Sequence, residues 1–399
     1  MTTHFTIHQD EAIDRRIRAD LETIVSGLRE RLPDLIAVVL TGGFSRSEGS
    51  ILRKGDEVTP LNDYDLIVIM EKSGRAEVAP LEDELAARVG IRHIDLLPRL
   101  FDELPKLPCT ILHYDLRHGG LVLLGPKDIL ATIPAWHERE ISLAEAEKLL
   151  FNRILCLLEG FSLEFLQRTP NPEEMLFLRF QTAKGVLGAS DALLVFKRRY
   201  HWLYSERAER FALEYKFDPK KVEMVRRATE FKLDPAGISA GRGGTAADNS
   251  AGGASFAEAT EPRGTPALQG TENLSVTEGV CRAGPPCPAA DMIDDWLEAS
   301  RFVLETLKFL LPFRYPYGVT FQGWPEAAQF YADLRANRWL TWVEIAEMLL
   351  LAAISAGPKE IDEDLVRLAG EYLSKHKEVP AGADWETLRR LAVEAWHRR

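Results

Sequence analysis

The chain has 399 residues, enough for two domains with a buried core, and its 46% hydrophobic and 28% charged residues are ordinary for a soluble globular protein. A formal net charge of −12 excludes a general DNA-coating or RNA-coating role, which needs a basic surface. The four cysteines (Cys109, Cys156, Cys281, Cys287) make no disulfide framework, the N-terminal MTTHFTIHQDEAIDRR lacks a signal peptide's apolar run, and Met348 to Ala356 is too short to span a bilayer, so a cytoplasmic protein with no membrane partner is expected.

Ile13, Ile17, Leu21, Ile24 and Leu28 recur at spacings of three and four and predict a helix over 10–31, ended by Pro33 and Asp34. LIAVVLTG follows as a strand running into a glycine turn. Gly42 and Gly43 lack Cβ atoms, which suits a backbone that approaches a ligand closely. Ser45, Arg46 and Ser47 then offer donors suited to phosphate oxygens. Ser45 also suits a helix N-cap, and the two roles are compatible because helix N-termini bind anions. Glu48 is left between pairing with Arg46 and sitting in a first helical turn. Lys54-Gly55-Asp56 reads as a hairpin tip.

LNDYDLIVIM (Leu61 to Met70) reads as a buried central strand. Alternation sends Asp63 and Asp65 to one face and Tyr64 to the other. A helix over 80–89, stopped by Gly90, leads to a strand in RHIDLLP (Arg92 to Pro98), and this crossover brings Asp95 beside the pair. His93 shares Asp95's face and reads as structural. Three carboxylates on one sheet face repel each other, and the usual remedy is a pair of divalent cations, Mg2+ or Mn2+. Metal-holding acids beside a phosphate cradle make a site for a nucleoside triphosphate. Gly119-Gly120 suggests a turn, with Asp115 read as a turn-capping residue, and Leu121 to Leu124 as a further strand of the same sheet.

From about residue 140 the pattern is helical. Ser142 with Glu145 is a capping box opening a helix to about Gln167. Asn171-Pro172-Glu173-Glu174 opens another, expected to run through to Leu203. Two more follow, from Ser205 to Tyr215 and from Pro219 to Leu233. Residues 236–291 are rich in Gly, Ala, Ser, Thr and Pro and are expected to be a disordered insertion. Helices resume at Met292 and recur over 325–336, 340–355, 362–376 and 384–397. Tyr200, Trp202 and Tyr204 suit core packing better than stacking on a base. Ala183, Gly185, Gly188 and Ala189 around Lys184 leave room for a neighbouring helix or a nucleotide.

The strand, glycine turn, Asp-x-Asp and third acid (Gly42-Gly43, Asp63-Tyr64-Asp65, Asp95) resemble the nucleotidyltransferase superfamily of polymerase beta over the first third of the chain. The gap from Gly43 to Asp63 is longer than the family's usual one. The resemblance implies catalytic and metal-holding roles for Asp63, Asp65 and Asp95. It implies nucleotide contacts from Gly42, Gly43, Ser45, Arg46 and Lys184, Lys184 being equally readable as a solvated side chain. The expected fold is α+β: a mixed-sheet nucleotidyltransferase domain over 1–140, then an all-α domain over 141–235 and 292–399. The expected activity is transfer of a nucleoside monophosphate from an NTP to an acceptor hydroxyl of a small molecule or a protein. The alternatives are a nucleotide-binding sensor without turnover, an RNA 3′-end or tRNA-modifying enzyme, and a helical scaffold carrying an incidental motif.

Overall fold

The computed structural model describes residues 4–54, 57–61, 63–72, 74–235, 237, 289–315, 321–335 and 339–397. Helix α1 (Glu11–Arg31) is capped by Asp10, whose carboxylate accepts from the N–H groups of Ala12 and Ile13, and it buries the predicted apolar stripe. Strand β1 (Leu35–Thr41) ends in a single turn, α2 (Gly42–Ser45). Strands β2 (Ile51–Lys54) and β3 (Glu57–Pro60) pair antiparallel with Lys54 opposite Glu57; Gly55 and Asp56 of the expected hairpin tip lie outside the described residues. Strand β4 (Tyr64–Met70), helix α3 (Arg75–Val89) and strand β5 (Ile94–Leu100) form the expected crossover, with Gly90 closing α3 at φ 69. Helix α4 (Ile111–Gly119), which the sequence reading did not expect, precedes β6 (Leu121–Leu124).

The sheet order is β5-β4-β1-β6, with β4 parallel to β5 and β1 antiparallel to both β4 and β6. Its two faces follow the alternation along β4. Tyr64, Leu66, Val68 and Met70 pack with the α1 stripe, whereas Ile67 and Ile69 pack with Leu116 of α4 and with Leu104, Ile129 and Ile133. Tyr64 turns towards α1, and its hydroxyl donates to Asp20 Oδ2 at 2.9 Å. Asp65 therefore belongs to the α4 face, at the end of β4 nearest the glycine turn.

The helical region comprises α5 (Leu143–Gly160), α6 (Pro172–Phe196), α7 (Tyr204–Glu214), α8 (Pro219–Leu233), α9 (Ala289–Arg314), α10 (Trp324–Arg335), α11 (Trp339–Ile354), α12 (Glu363–Leu373) and α13 (Trp385–His397). The fold is thus α+β, a mixed four-stranded sheet with helices followed by a largely helical region. α5 and α6 stop well before the ends expected of them. α5 ends at Gly160, and α6 ends at Phe196 because Arg198 takes φ 60 and donates from its guanidinium to the carbonyls of Arg139 and Ile141. Up to residue 288, and apart from Gly237, the expected insertion at 236–291 lies outside the described residues, with Cys281 and Cys287. Among the described residues no helix is long and apolar enough to cross a membrane.

The chain divides into two compact units, Met1–Glu145 with Leu194–Asn249, and Ala146–Leu193 with Ser250–Arg399. Helices α7 and α8 fall in the unit that holds the sheet. In the second unit Trp296 is fully buried, stacks on Phe161 at 4.1 Å and donates to the Leu157 carbonyl at 2.9 Å. The small residues of α6 make room for α5: a Cβ on Gly185 would stand 3.0 Å from Leu157, and one on Gly188 would meet the Arg153 side chain. The close partner at this stretch is a helix.

Candidate functional site

The site is built where β1 ends and β4 begins. Thr41 pairs with Asp65 on one side, and Asp65 pairs in parallel register with Asp95 on the other. Gly42 has φ +72, a left-handed conformation that favours glycine, and a Cβ on it would collide with the Asp65 carboxylate. Gly43 is held by close approach as well, since its Cβ would lie 2.8 Å from the Glu48 carbonyl oxygen. The glycine pair is thus explained by the intimacy of the turn with Asp65 and with its own return segment.

Asp65 is the innermost of the three acids. Burial first, then the neighbouring charges of Asp95 and Asp63, push its pKa up to about 6, while Lys232 and Arg46 pull it back. Asp95 is far more open, its side chain 44% exposed, and its Oδ1 lies 3.0 Å from His93 Nε2. That hydrogen bond, together with the Asp95 and Asp63 charges, holds the His93 pKa above its ordinary value despite partial burial. His93, read as structural, is thus a direct partner of the third acid. The donor set suits a hard divalent cation in kind: carboxylate oxygens, in adjacent register, with the buried member reluctant to ionise. Among the described residues, however, no three His, Cys, Asp or Glu side chains are arranged to ligate one ion.

The expected phosphate donors are engaged with protein. Ser45 Oγ donates to the Gly42 carbonyl at 3.0 Å, and Ser47, at φ 61, donates to the His4 carbonyl at 2.7 Å. Arg46 turns inward: its side chain is 4% exposed and its Nη1 is 2.7 Å from Asp115 Oδ2. Burial works against that charge, but Asp115 and the Tyr204 and Tyr200 hydroxyls hold the Arg46 pKa above its usual value. Asp115, expected at a turn, sits within α4 and is this arginine's counter-ion, with the Tyr200 hydroxyl 3.3 Å away. Tyr200 is fully buried, in keeping with core packing.

Glu48 does neither of the things the sequence suggested. It is buried and accepts from the N–H groups of Tyr204 and Ser205 at 2.8 and 3.0 Å and from the Ser205 hydroxyl at 2.8 Å. Lys184 belongs to the other unit, where its ammonium lies 4.7 Å over the Phe180 ring. The lysine near the acids is Lys232, buried at the end of α8, whose Nζ donates to Ser50 Oγ at 3.1 Å. Arg46, Arg207 and Lys232 gather around the Tyr204 ring at 5.4, 4.0 and 5.7 Å from its centroid. A trace of Lys232 was available in the sequence: it lies on the same helical stripe as Val225, Ala228 and Thr229, where a solvated lysine does not belong.

Compared with protein-family models, with curated proteins and with solved structures, the chain matches none.

Proposed function

We propose that the chain is a nucleotidyltransferase similar to the polymerase-beta superfamily. It transfers a nucleoside monophosphate from an NTP to an acceptor hydroxyl and acts in the cytoplasm. The observation that carries this reading is the meeting of opposite charges at one turn: the Asp65 carboxylate, raised to about 6 by burial and by Asp95 and Asp63, lies against Gly42 and feels Lys232 and Arg46. A lone strand acid has no need of such surroundings. A magnesium nucleotide, with its cations and its anionic phosphates, would satisfy both halves.

In this reading the carboxylates of Asp63, Asp65 and Asp95 would hold the divalent cations. Bound there, these would lower the acceptor hydroxyl's pKa and offset charge on the leaving group. Asp95, open to solvent, takes the hydroxyl proton with His93 behind it. The acceptor oxygen forms its bond to the α-phosphorus, the bond from that phosphorus to the β-bridging oxygen breaks, and pyrophosphate leaves. Lys232 meets the triphosphate, and Arg46 supports the field from behind. The acidic balance favours a small-molecule or protein acceptor over a long nucleic acid. A second reading, nucleotide sensing without turnover, draws on one observation: Arg46 and Asp95 are both occupied by protein partners.

The test is incubation of the protein with each labelled NTP, magnesium and cell extract, with pyrophosphate release and labelled product measured. We expect transfer from at least one NTP, and a drop on the order of 100-fold or more in Lys232→Met. Magnesium-dependent NTP binding without pyrophosphate release favours the sensor; no binding of any NTP removes both readings.

A further inference from the structure

The segment after the glycine turn is tied to two helices from much later in the chain. At one tie, Glu48 receives three donors at the start of α7, and the residue at that helix's N-cap, Leu203, supplies no side-chain cap of its own. Glu48 therefore caps α7 from 156 positions away, its negative charge at the positive helix end. At the other tie, the Ser50 hydroxyl donates to the Lys232 carbonyl and accepts from Lys232 Nζ. Helices α7 and α8 pack on each other, and the Tyr204 ring, next to the N–H that Glu48 holds, is the ring over which the Lys232 ammonium lies. A buried carboxylate is costly unless its oxygens are satisfied, and here three donors satisfy them.

We propose that Glu48 is a positioning residue that keeps Lys232 at its station on Ser50. It does so by locking the start of α7, and with it the Tyr204 ring, to the segment that carries Ser50. Glu48 touches no reacting atom in this scheme. It acts through the lysine. The proposal rests on the reading that Lys232 meets the triphosphate of an NTP.

The experiment is a double-mutant cycle on the full chain with Glu48→Ala, Lys232→Met and the pair combined, measuring the Kd for each of the four NTPs with magnesium and the amide exchange of Tyr204 and Ser205. Glu48→Gln is carried alongside, since it keeps one acceptor oxygen and a well-satisfied site if the alanine variant does not fold. Each single change is expected to weaken NTP binding on the order of tenfold, the loss of about one charge-assisted hydrogen bond. The pair is expected to bind no more weakly than Lys232→Met alone, because the two act as one. Glu48→Gln should lie between wild type and Glu48→Ala, with Tyr204 and Ser205 exchanging faster than in wild type. Additive losses in the pair, or wild-type NTP affinity in Glu48→Ala and Glu48→Gln, overturn the proposal while leaving the functional reading intact. A wild-type protein that binds no NTP overturns that reading and the role of Glu48 with it; unchanged exchange at Tyr204 and Ser205 in both Glu48 variants overturns the clamp by itself.

Discussion

Asp65→Asn is expected to abolish turnover and, above about pH 6, to make the protein more stable than wild type. In the folded chain Asp65 keeps its proton up to about pH 6. In the unfolded chain it loses it near the ordinary value, about 3.9. Between those values the folded state binds more protons than the unfolded one, so stability falls as pH rises through the window, and the full penalty is present above it. Two pH units correspond to about 3 kcal/mol. Asp65 retains some contact with water, and screening brings the expected gain in the asparagine variant to about 1–2 kcal/mol, or a few degrees in Tm. Thermal unfolding of both proteins from pH 4 to pH 8 checks this. The gap should be absent at pH 4, open by pH 7, and shrink when magnesium is added, because a bound cation would offset a charge that burial first, and then the neighbouring acids, disfavour. A gap that is flat across pH would mean that this carboxylate is not under strain, and the physical case for a cation site would go with it.

The second large effect is expected at Gly42→Ala. Its φ of +72 costs an alanine about 1–2 kcal/mol, and the new methyl would meet the Asp65 carboxylate. Displacing that carboxylate by about 1 Å should lower turnover on the order of 100-fold. The protein contains its own control. Gly90 has φ +69, with no atom within 4 Å of where a Cβ would lie. Gly90→Ala should therefore show a comparable loss of Tm with its activity kept. If the two variants lose equal activity, the glycine turn serves only the backbone.

The sheet, and the register that sets Asp65 beside Asp95, were legible in the sequence because they are written locally. Alternation along β4 separates Asp65 from Tyr64, and a helix between two strands leads to the parallel partner that carries Asp95. The partners of those acids were not legible. Arg46 looked open because nothing near it in sequence is acidic except Glu48, and its counter-ion stands 69 positions away on a helix. That helix, α4, is short, follows Pro105 and Pro108 and ends in Gly119-Gly120, so its signals of interruption outweighed its Thr110 cap. Lys232 and Ser50 lie 182 positions apart. The small residues around Lys184 accommodate α5. Periodicity reports which face of a helix is buried and says nothing about which distant segment it is buried against.

The membership of α7 and α8 in the sheet's unit bears on how the polypeptide can be cut and how it is completed during synthesis. All the described strands have been made by Leu124, yet Glu48 and Ser50 stay short of their later partners until the ribosome has passed Ser205 and finally Lys232. A gene fragment trimmed at the last strand would encode every acid of the Asp-x-Asp pattern and still leave a glutamate and a serine, buried in the full chain, with none of the late donors and acceptors that satisfy them. Such a fragment should be poorly folded and inert, and its failure would say nothing about the chemistry of the whole.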